Sequence, residues 1–352
     1  MTSLNILRRI QLRDDTKTIS KRMLEKEVTE IISAVNALGN TNGGTIELVF
    51  EAFNECLSVM AGGIDEFMRL LEQRLMQFIP TNIYFSLVQV HMPNPHVAVL
   101  RVAPSSPNYC QTIHYNLFLR SLTIRTSISS FVPMQFIKDI LEGKAITENS
   151  TLRESHAKHF VIGENTGIWE SNRVEFKLLP SSQTSRHLLS PFSVSVLTKF
   201  SSIVSAFANC EGGHIYYGID HLGIVHGQFI NGAHEIAEIT AKVHKAVDRM
   251  IWPEYCDHFK PKRGEQWDIF FEPVQDIAGK PIPSTFVVVI YIAKCPGGVF
   301  TQQPEAYHVV DGKITRMGFF DWKKRILYPG WDKSLIPAEI DWENESGFTE
   351  FT

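Results

Sequence analysis

Between Arg173 and Leu178 charged and apolar residues alternate, so a period of two sets Arg173, Glu175 and Lys177 on one face of a strand and Val174, Phe176 and Leu178 on the other. One face is expected in the core and the other carries charge. Residues 195 to 209 change to helical spacing of apolar positions. Gly212-Gly213 then supplies the tight-turn backbone that lets the chain leave that helix for a strand from His214 to Ile219, which ends on Asp220. His221-Leu222-Gly223 reads as a turn, with Ile224 to Gln228 as the returning arm of a hairpin.

This order of elements occurs once before. Residues 20 to 38 carry apolar positions at helical spacing behind Ser20 as a possible N-cap, and they lead through Asn40-Thr-Asn-Gly43-Gly44 into an alternating run to Phe50. Ala37-Leu-Gly-Asn40-x-x-Gly-Gly44-x-Ile46 aligns without a gap on Ala206-Phe-Ala-Asn209-x-x-Gly-Gly213-x-Ile215, which puts Glu51 at the place of Asp220. Downstream, helices at 64 to 79 and 234 to 251 end at Pro80 and Pro253. Two apolar strands follow each: 83 to 90 and 96 to 102, then 267 to 274 and 285 to 293. Each half closes with a strand pair and a helix: Tyr115 to Arg125 before 132 to 142, and Tyr307 to Arg316 before 319 to 327. Two copies of one α+β unit explain the chain better than one irregular domain. The expected lobes are 1–143 and 166–352, joined by a polar connector at 144–165, with a Ser-, Thr- and Gln-rich loop from Pro180 to Pro191.

Composition narrows the function classes. With 352 residues, 44% of them hydrophobic, the chain can bury more than one core. No apolar run is long enough to span a bilayer, and the start lacks the features of a secretory signal, so a cytoplasmic protein without membrane attachment is expected. Five scattered cysteines suit a reducing compartment. The net charge of −4 confines any nucleic-acid surface to a local stripe. Candidates are Lys242, Lys245 and Arg249 at i, i+3, i+7 on a helix, the compact group Lys260, Lys262 and Arg263, and Lys323 to Arg325; each by itself is more often a solvated face than a phosphate track.

Glu170, Glu175 and Asp220 could converge if the strand of Glu175 lies beside the strand of Asp220. Hard cations such as Mg²⁺ or Mn²⁺ prefer oxygen ligands, and carboxylates hold them while phosphate oxygens complete the shell. The alternative is that Glu175 pairs with Arg173 or Lys177 as a solvated ladder and Asp220 merely starts a turn. On residue types alone that alternative is favoured.

Glu170-Ser-x-x-Val-Glu175-Phe-Lys177, then Val204-Ser-Ala-Phe-Ala-Asn209-x-x-Gly-Gly213 and Gly218-Ile-Asp220, resemble the core domain of the Schlafen family. Ala34 to Gly44 and Pro304 to Trp322 are similar to its first-lobe helix and its closing segment, so the resemblance covers nearly the whole chain. It implies a short member or viral relative without the helicase-like region, built of two tandem pseudo-repeated AlbA-like lobes in a horseshoe whose basic valley holds folded RNA. It also implies a divalent-metal-dependent endoribonuclease cutting tRNA first and rRNA second. Glu170, Glu175 and Asp220 would then bind Mg²⁺ or Mn²⁺, and Lys177 would steady the phosphate. A non-catalytic protein that shields tRNA or modulates translation is the rival expectation, and an interaction scaffold a third. The family's zinc site is not matched: Cys256, His258 and Cys295 offer at most three ligands, the first two in reversed order, so free thiols are expected there. One metal site is expected rather than two, because Glu51 lacks companion acids. Monomer and homodimer both stay open.

Overall fold

The periodicities of the chain become elements in the computed structural model, which describes residues 4–12, 18–52, 57–76, 87–105, 110, 112–121, 124–127, 134–144, 159–178, 194–254 and 260–328. The architecture is mixed α+β. Contacts divide it into two compact units, and the division does not follow chain order. One unit comprises Met1–Glu72, Ile83–Gln111 and Ala306–Thr352; the other comprises Gln73–Asn82 and Thr112–Glu305. The segment after 112 therefore completes the second unit, and the segment after 306 completes the first. The sequence had put the first boundary at 143.

The first unit opens with a strand the pattern did not predict, β1 (Leu4–Leu12), followed by α1 (Thr18–Gly39), β2 (Gly44–Ala52) and α2 (Leu57–Leu75). Because α1 begins at Thr18, Ser20 lies inside its first turn rather than at its cap. β3 (Val88–Asn94) and β4 (Val97–Val102) complete a sheet of order β1-β2-β4-β3, with β1 parallel to β2 and the other pairs antiparallel. Ile46, Leu48, Phe50, Ala98 and Leu100 of the sheet are buried, as are Val28, Ile31, Val35 and Leu38 of α1.

The second unit holds the hairpin β5 (Phe118–Ser121) and β6 (Ile124–Ser127), α3 (Met134–Leu141), β7 (Phe160–Val161), β8 (Val174–Lys177), α4 (Val194–Ala208), β9 (Gly213–Tyr217), β10 (Gln228–Phe229), α5 (Gly232–Asp248), β11 (Trp267–Gln275) and β12 (Pro281–Ile292). Its sheet runs β7-β11-β12-β9-β8, and β10 joins β12. β8 lies parallel to β9, so β8-β9-β12-β11 repeats the order and directions of β1-β2-β4-β3. Residues of alternating parity on β12 feed two cores. Val288, Ile290 and Ile292 pack with Phe200, Phe207, Val243 and Trp267 under α4 and α5, whereas Val287 and Val289 pack with Val174, Phe176, Tyr216 and Ile219 on the other face. The returning arm expected at 224–228 is reduced to one bridge, Ile219 to Val225, because Gln228 and Phe229 pair with β12 instead.

Last come β13 (Tyr307–Val310), β14 (Lys313–Arg316) and α6 (Phe319–Leu327), all in the first unit. What assigns each closing hairpin to its unit is an asparagine clamp. Asn36 Oδ1 accepts from Tyr307 N at 2.7 Å, Asn40 Nδ2 donates to Tyr307 O at 3.0 Å, and Thr41 Oγ1 accepts from Val309 N at 3.0 Å. At the aligned positions Ser205 Oγ accepts from Phe118 N at 3.1 Å, Asn209 Nδ2 donates to Phe118 O at 3.2 Å, and Cys210 Sγ accepts from Arg120 N at 3.2 Å. The asparagine of each Asn-x-x-Gly-Gly run thus supplies the groups that a buried strand end would otherwise lack.

The glycines of that run answer to close approach. Gly212 has φ +74°, and a Cβ there would meet Ile292 O at 2.8 Å; one on Gly213 would lie 2.5 Å from Arg173 O and 2.7 Å from the Phe207 ring. Only glycine leaves room for His214 N to reach Arg173 O at 2.8 Å and start the parallel pairing of β8 with β9.

Candidate functional site

β8 is short, and its start is a tight reversal in which Ser171 N donates to Val174 O at 3.1 Å and Val174 N to Ser171 O at 3.4 Å. Glu170, just before this reversal, turns back along the strand edge, where its Oε1 accepts from Phe176 N at 2.9 Å. Val174 and Phe176 face the core as expected, whereas Leu178 is exposed; on the opposite face Glu175 is buried and Lys177 only half-exposed. Glu175 sits opposite Ile215 in the register and is buried.

Its burial is made tolerable by two cations. Arg120, whose side chain is 0% exposed, donates through Nη1 to Glu175 Oε2, through Nη2 to Val174 O at 2.8 Å and through Nε to Ser171 O at 2.8 Å. Its guanidinium also lies 4.7 Å from the centre of the Phe207 ring. Lys177 Nζ takes the other oxygen, Glu175 Oε1, at 2.5 Å. Burial pushes the Glu175 carboxyl up, yet the hydrogen bonds and charges of Lys177 and Arg120 outweigh it and hold the group below the ordinary glutamate range. Arg173 is not a partner in this set; it pairs with Glu211.

Asp220 lies past the end of β9, beyond Gly218, whose φ of +101° turns the chain. Its Oδ1 accepts from Leu222 N at 2.9 Å and Ile224 N at 3.0 Å, and its Oδ2 is 2.9 Å from His226 Nε2. The His226 hydrogen bond leads the causes that depress the Asp220 carboxyl, and the two backbone amides assist. Glu51, the aligned residue of the first unit, is still within β2 and bonds to Arg9 at 3.4 Å.

The three acids therefore stand on adjacent elements, each with its own partners. Among the described residues no group of three or more His, Cys, Asp or Glu is placed to hold a metal ion. Both oxygens of Glu175 and both of Asp220 are engaged by donors, and one of Glu170. To hold Mg²⁺ or Mn²⁺, oxygens of these carboxylates would have to turn to a common point. Of the residues expected to hold zinc, Cys256 and His258 lie outside the described residues, as does the loop 180–191. Cys295 is buried, with Sγ 3.6 Å from Ala293 O.

Residues 170–318 match the family described as Schlafen, AlbA_2, a span that starts on Glu170 and takes in Glu175, Asp220 and the second glycine turn. Over residues 170–318 the chain is thus similar to the Schlafen-family core domain. It is similar to the protein named Poxin-Schlafen of Monkeypox virus, 19% identical over 325 residues, which cover 86% of this chain and 60% of that protein. The Poxin-Schlafen of cowpox virus (strain Brighton Red) is 24% identical over 128 residues, 36% of this chain and 25% of that protein. The chain thus spans about 60% of the length of the Monkeypox virus relative.

Within the matched span the basic candidates separate into two groups. Lys242 pairs with Glu238, Lys262 with Glu265, and Arg263 with Asp268 while resting on Trp267. Lys245, Arg249 and Lys260 are exposed, without an acidic partner among the described residues.

Arg120 was missed in the sequence because its partner lies far off in the chain. A signal did exist on the receiving helix: Ser202 and Ser205 of α4 and Asn209 just past its end fall at i, i+3, i+7, and such a polar stripe calls for polar company. Its occupants are the β5–β6 hairpin, with Arg125 Nη1 donating to Ser202 Oγ at 2.7 Å opposite Arg120 in the cross-strand register.

Proposed function

We propose that the chain binds structured RNA, tRNA first and rRNA second, and does not hydrolyse it while Glu175 stays paired as described. The similarity of residues 170–318 to the Schlafen family points to a nuclease or RNA-related role. The observation that carries the non-catalytic form is the Arg120–Glu175–Lys177 set, which occupies the carboxylate most central to the motif with two internal cations. Lys245 on α5 and Arg249 at its C-cap, with Lys260, are the side chains offered to phosphate, and A-form RNA is read through its backbone and 2′-hydroxyls rather than its sequence. None of the three described cysteines is in a disulfide, in keeping with action in the cytoplasm. The shared strand order of the two sheets supports reading the chain as two copies of one AlbA-like unit.

A second reading is a metal-dependent endoribonuclease, favoured by the presence of Glu170, Glu175 and Asp220 at every acidic position of the motif. It requires Lys177 and Arg120 to release Glu175 so that Mg²⁺ or Mn²⁺ can enter. Incubating labelled tRNA with the protein in Mg²⁺, in Mn²⁺ and in EDTA separates the two. The expected result is a mobility shift without products in all three. Cleavage that vanishes in EDTA and in Glu175→Ala would replace the first reading with the second.

A further inference from the structure

Trp169, immediately before Glu170, is 70% exposed, whereas Trp252, Trp267 and Trp322 are fully buried. A leucine so placed on a surface would need no explanation. An indole presents a large flat face to water, and here the backbone beneath it is pinned on both sides. On the upstream side Gly163 N donates to Val225 O at 2.8 Å, Val225 N to Glu164 O at 3.0 Å, and Thr166 N to Gly223 O at 3.0 Å. Asn165 Nδ2 adds a bond to Leu222 O at 2.7 Å, its Oδ1 accepts from Gly167 N at 2.8 Å, and Ile168 packs on the core beneath β8. Downstream, Glu170 is tied to Phe176 N. The indole itself has no hydrogen-bond or ring partner among the described residues. It projects from a rigid loop beside the turn that carries Asp220, and on that turn His221 and Leu222 are also exposed.

Resting on the RNA-binding reading above, we propose that Trp169 is a stacking platform for an unpaired nucleobase of the bound RNA. Every base has a π-face, so an aromatic side chain held in place accepts an unstacked base with little regard to sequence. Pre-organisation matters because a loop already pinned loses no further freedom when the base arrives. The acids alongside repel phosphate but not a base, which favours a splayed-out nucleotide at this point over a duplex backbone.

The test compares wild type, Trp169→Ala and Trp169→Phe on two RNAs that share one stem: a hairpin with an unpaired loop, and the same stem as a blunt duplex. Trp169→Ala should weaken hairpin binding about thirtyfold, the middle of the range for loss of one stacked base. Trp169→Phe should keep most of the affinity, and duplex affinity should not change. The hairpin should also quench the solvent-exposed indole emission of the wild type, and Trp169→Ala should remove that signal. Hairpin binding by Trp169→Ala at wild-type strength, or an equal loss for both RNAs, overturns the platform while leaving RNA binding in place. A wild type that binds neither RNA defeats the RNA-binding reading itself.

Discussion

Replacing Arg120 alone should be far more damaging than replacing it together with Glu175. Arg120→Val removes a fully buried guanidinium and leaves Glu175 buried with only the half-exposed Lys177. Breaking one side of a buried pair costs about 3–5 kcal/mol, and retention of Lys177 argues for the lower end, about 3 kcal/mol. The two carbonyls that Arg120 serves are not orphaned, since Val174 O keeps Ser171 N and Ser171 O keeps Val174 N. The first unit suggests the control. The clamp matches Val309 to Arg120, and the parallel register matches Ile6, opposite Ile46, to Glu175, opposite Ile215, so both equivalent positions of that unit are apolar. Arg120→Val with Glu175→Ile should accordingly fall within about 1 kcal/mol of wild type, since well-packed apolar groups commonly replace a buried ion pair without loss. Urea unfolding followed by circular dichroism reads the difference. At a slope of about 3 kcal/mol per molar, the single variant should lose about 1 M in midpoint and the double variant should recover most of it. A single variant costing under about 1 kcal/mol, or a double variant whose loss equals the sum of the two singles, would refute the coupling.

Two further outcomes follow from the same geometry. Glu175 has a depressed folded pKa, so its contribution is present above the ordinary glutamate value of about 4.3 and is lost as pH falls through the folded value; Glu175→Gln should be less stable at pH 7 and decline less steeply in acid. Melting temperatures from pH 7 to pH 3 check this, and parallel curves for the two proteins would contradict it. Asn209→Ala removes an acceptor for Val299 N at 2.7 Å and donors to Val299 O and Phe118 O, costing about 1–3 kcal/mol. Amide exchange at Val299 should quicken with it, and unaltered protection there would show that Asn209 is not the clamp.

Much of the fold was legible because it depends on short-range pattern. Helices at 194–208 and 319–327 and the hairpin at 307–316 follow from spacing and turn residues within the segment concerned. The glycine turns were legible too, since a positive φ and a close backbone approach admit few other residues. β1 went unread because Asn5 to Gln11 mixes polar and apolar residues without clean alternation, and its strand character comes from pairing with β2. Alternation of Glu175 and Lys177 was read correctly, but their environment was not. A period of two says which side chains share a face, never what covers that face.

Apart from β1 and the arm at 224–228, the amino-acid sequence alone determined the element types, the two glycine turns and the acids Glu170, Glu175 and Asp220 at their motif positions. Tertiary structure decided which hairpin each helix receives, and with it that Arg120 meets Glu175. The physical reason is that hydrogen bonds between Phe118 and Ser205 or Asn209 join residues about ninety positions apart, whose meeting no local spacing encodes. A carboxylate buried by that meeting has to be neutralised by whatever charge the arriving strand brings.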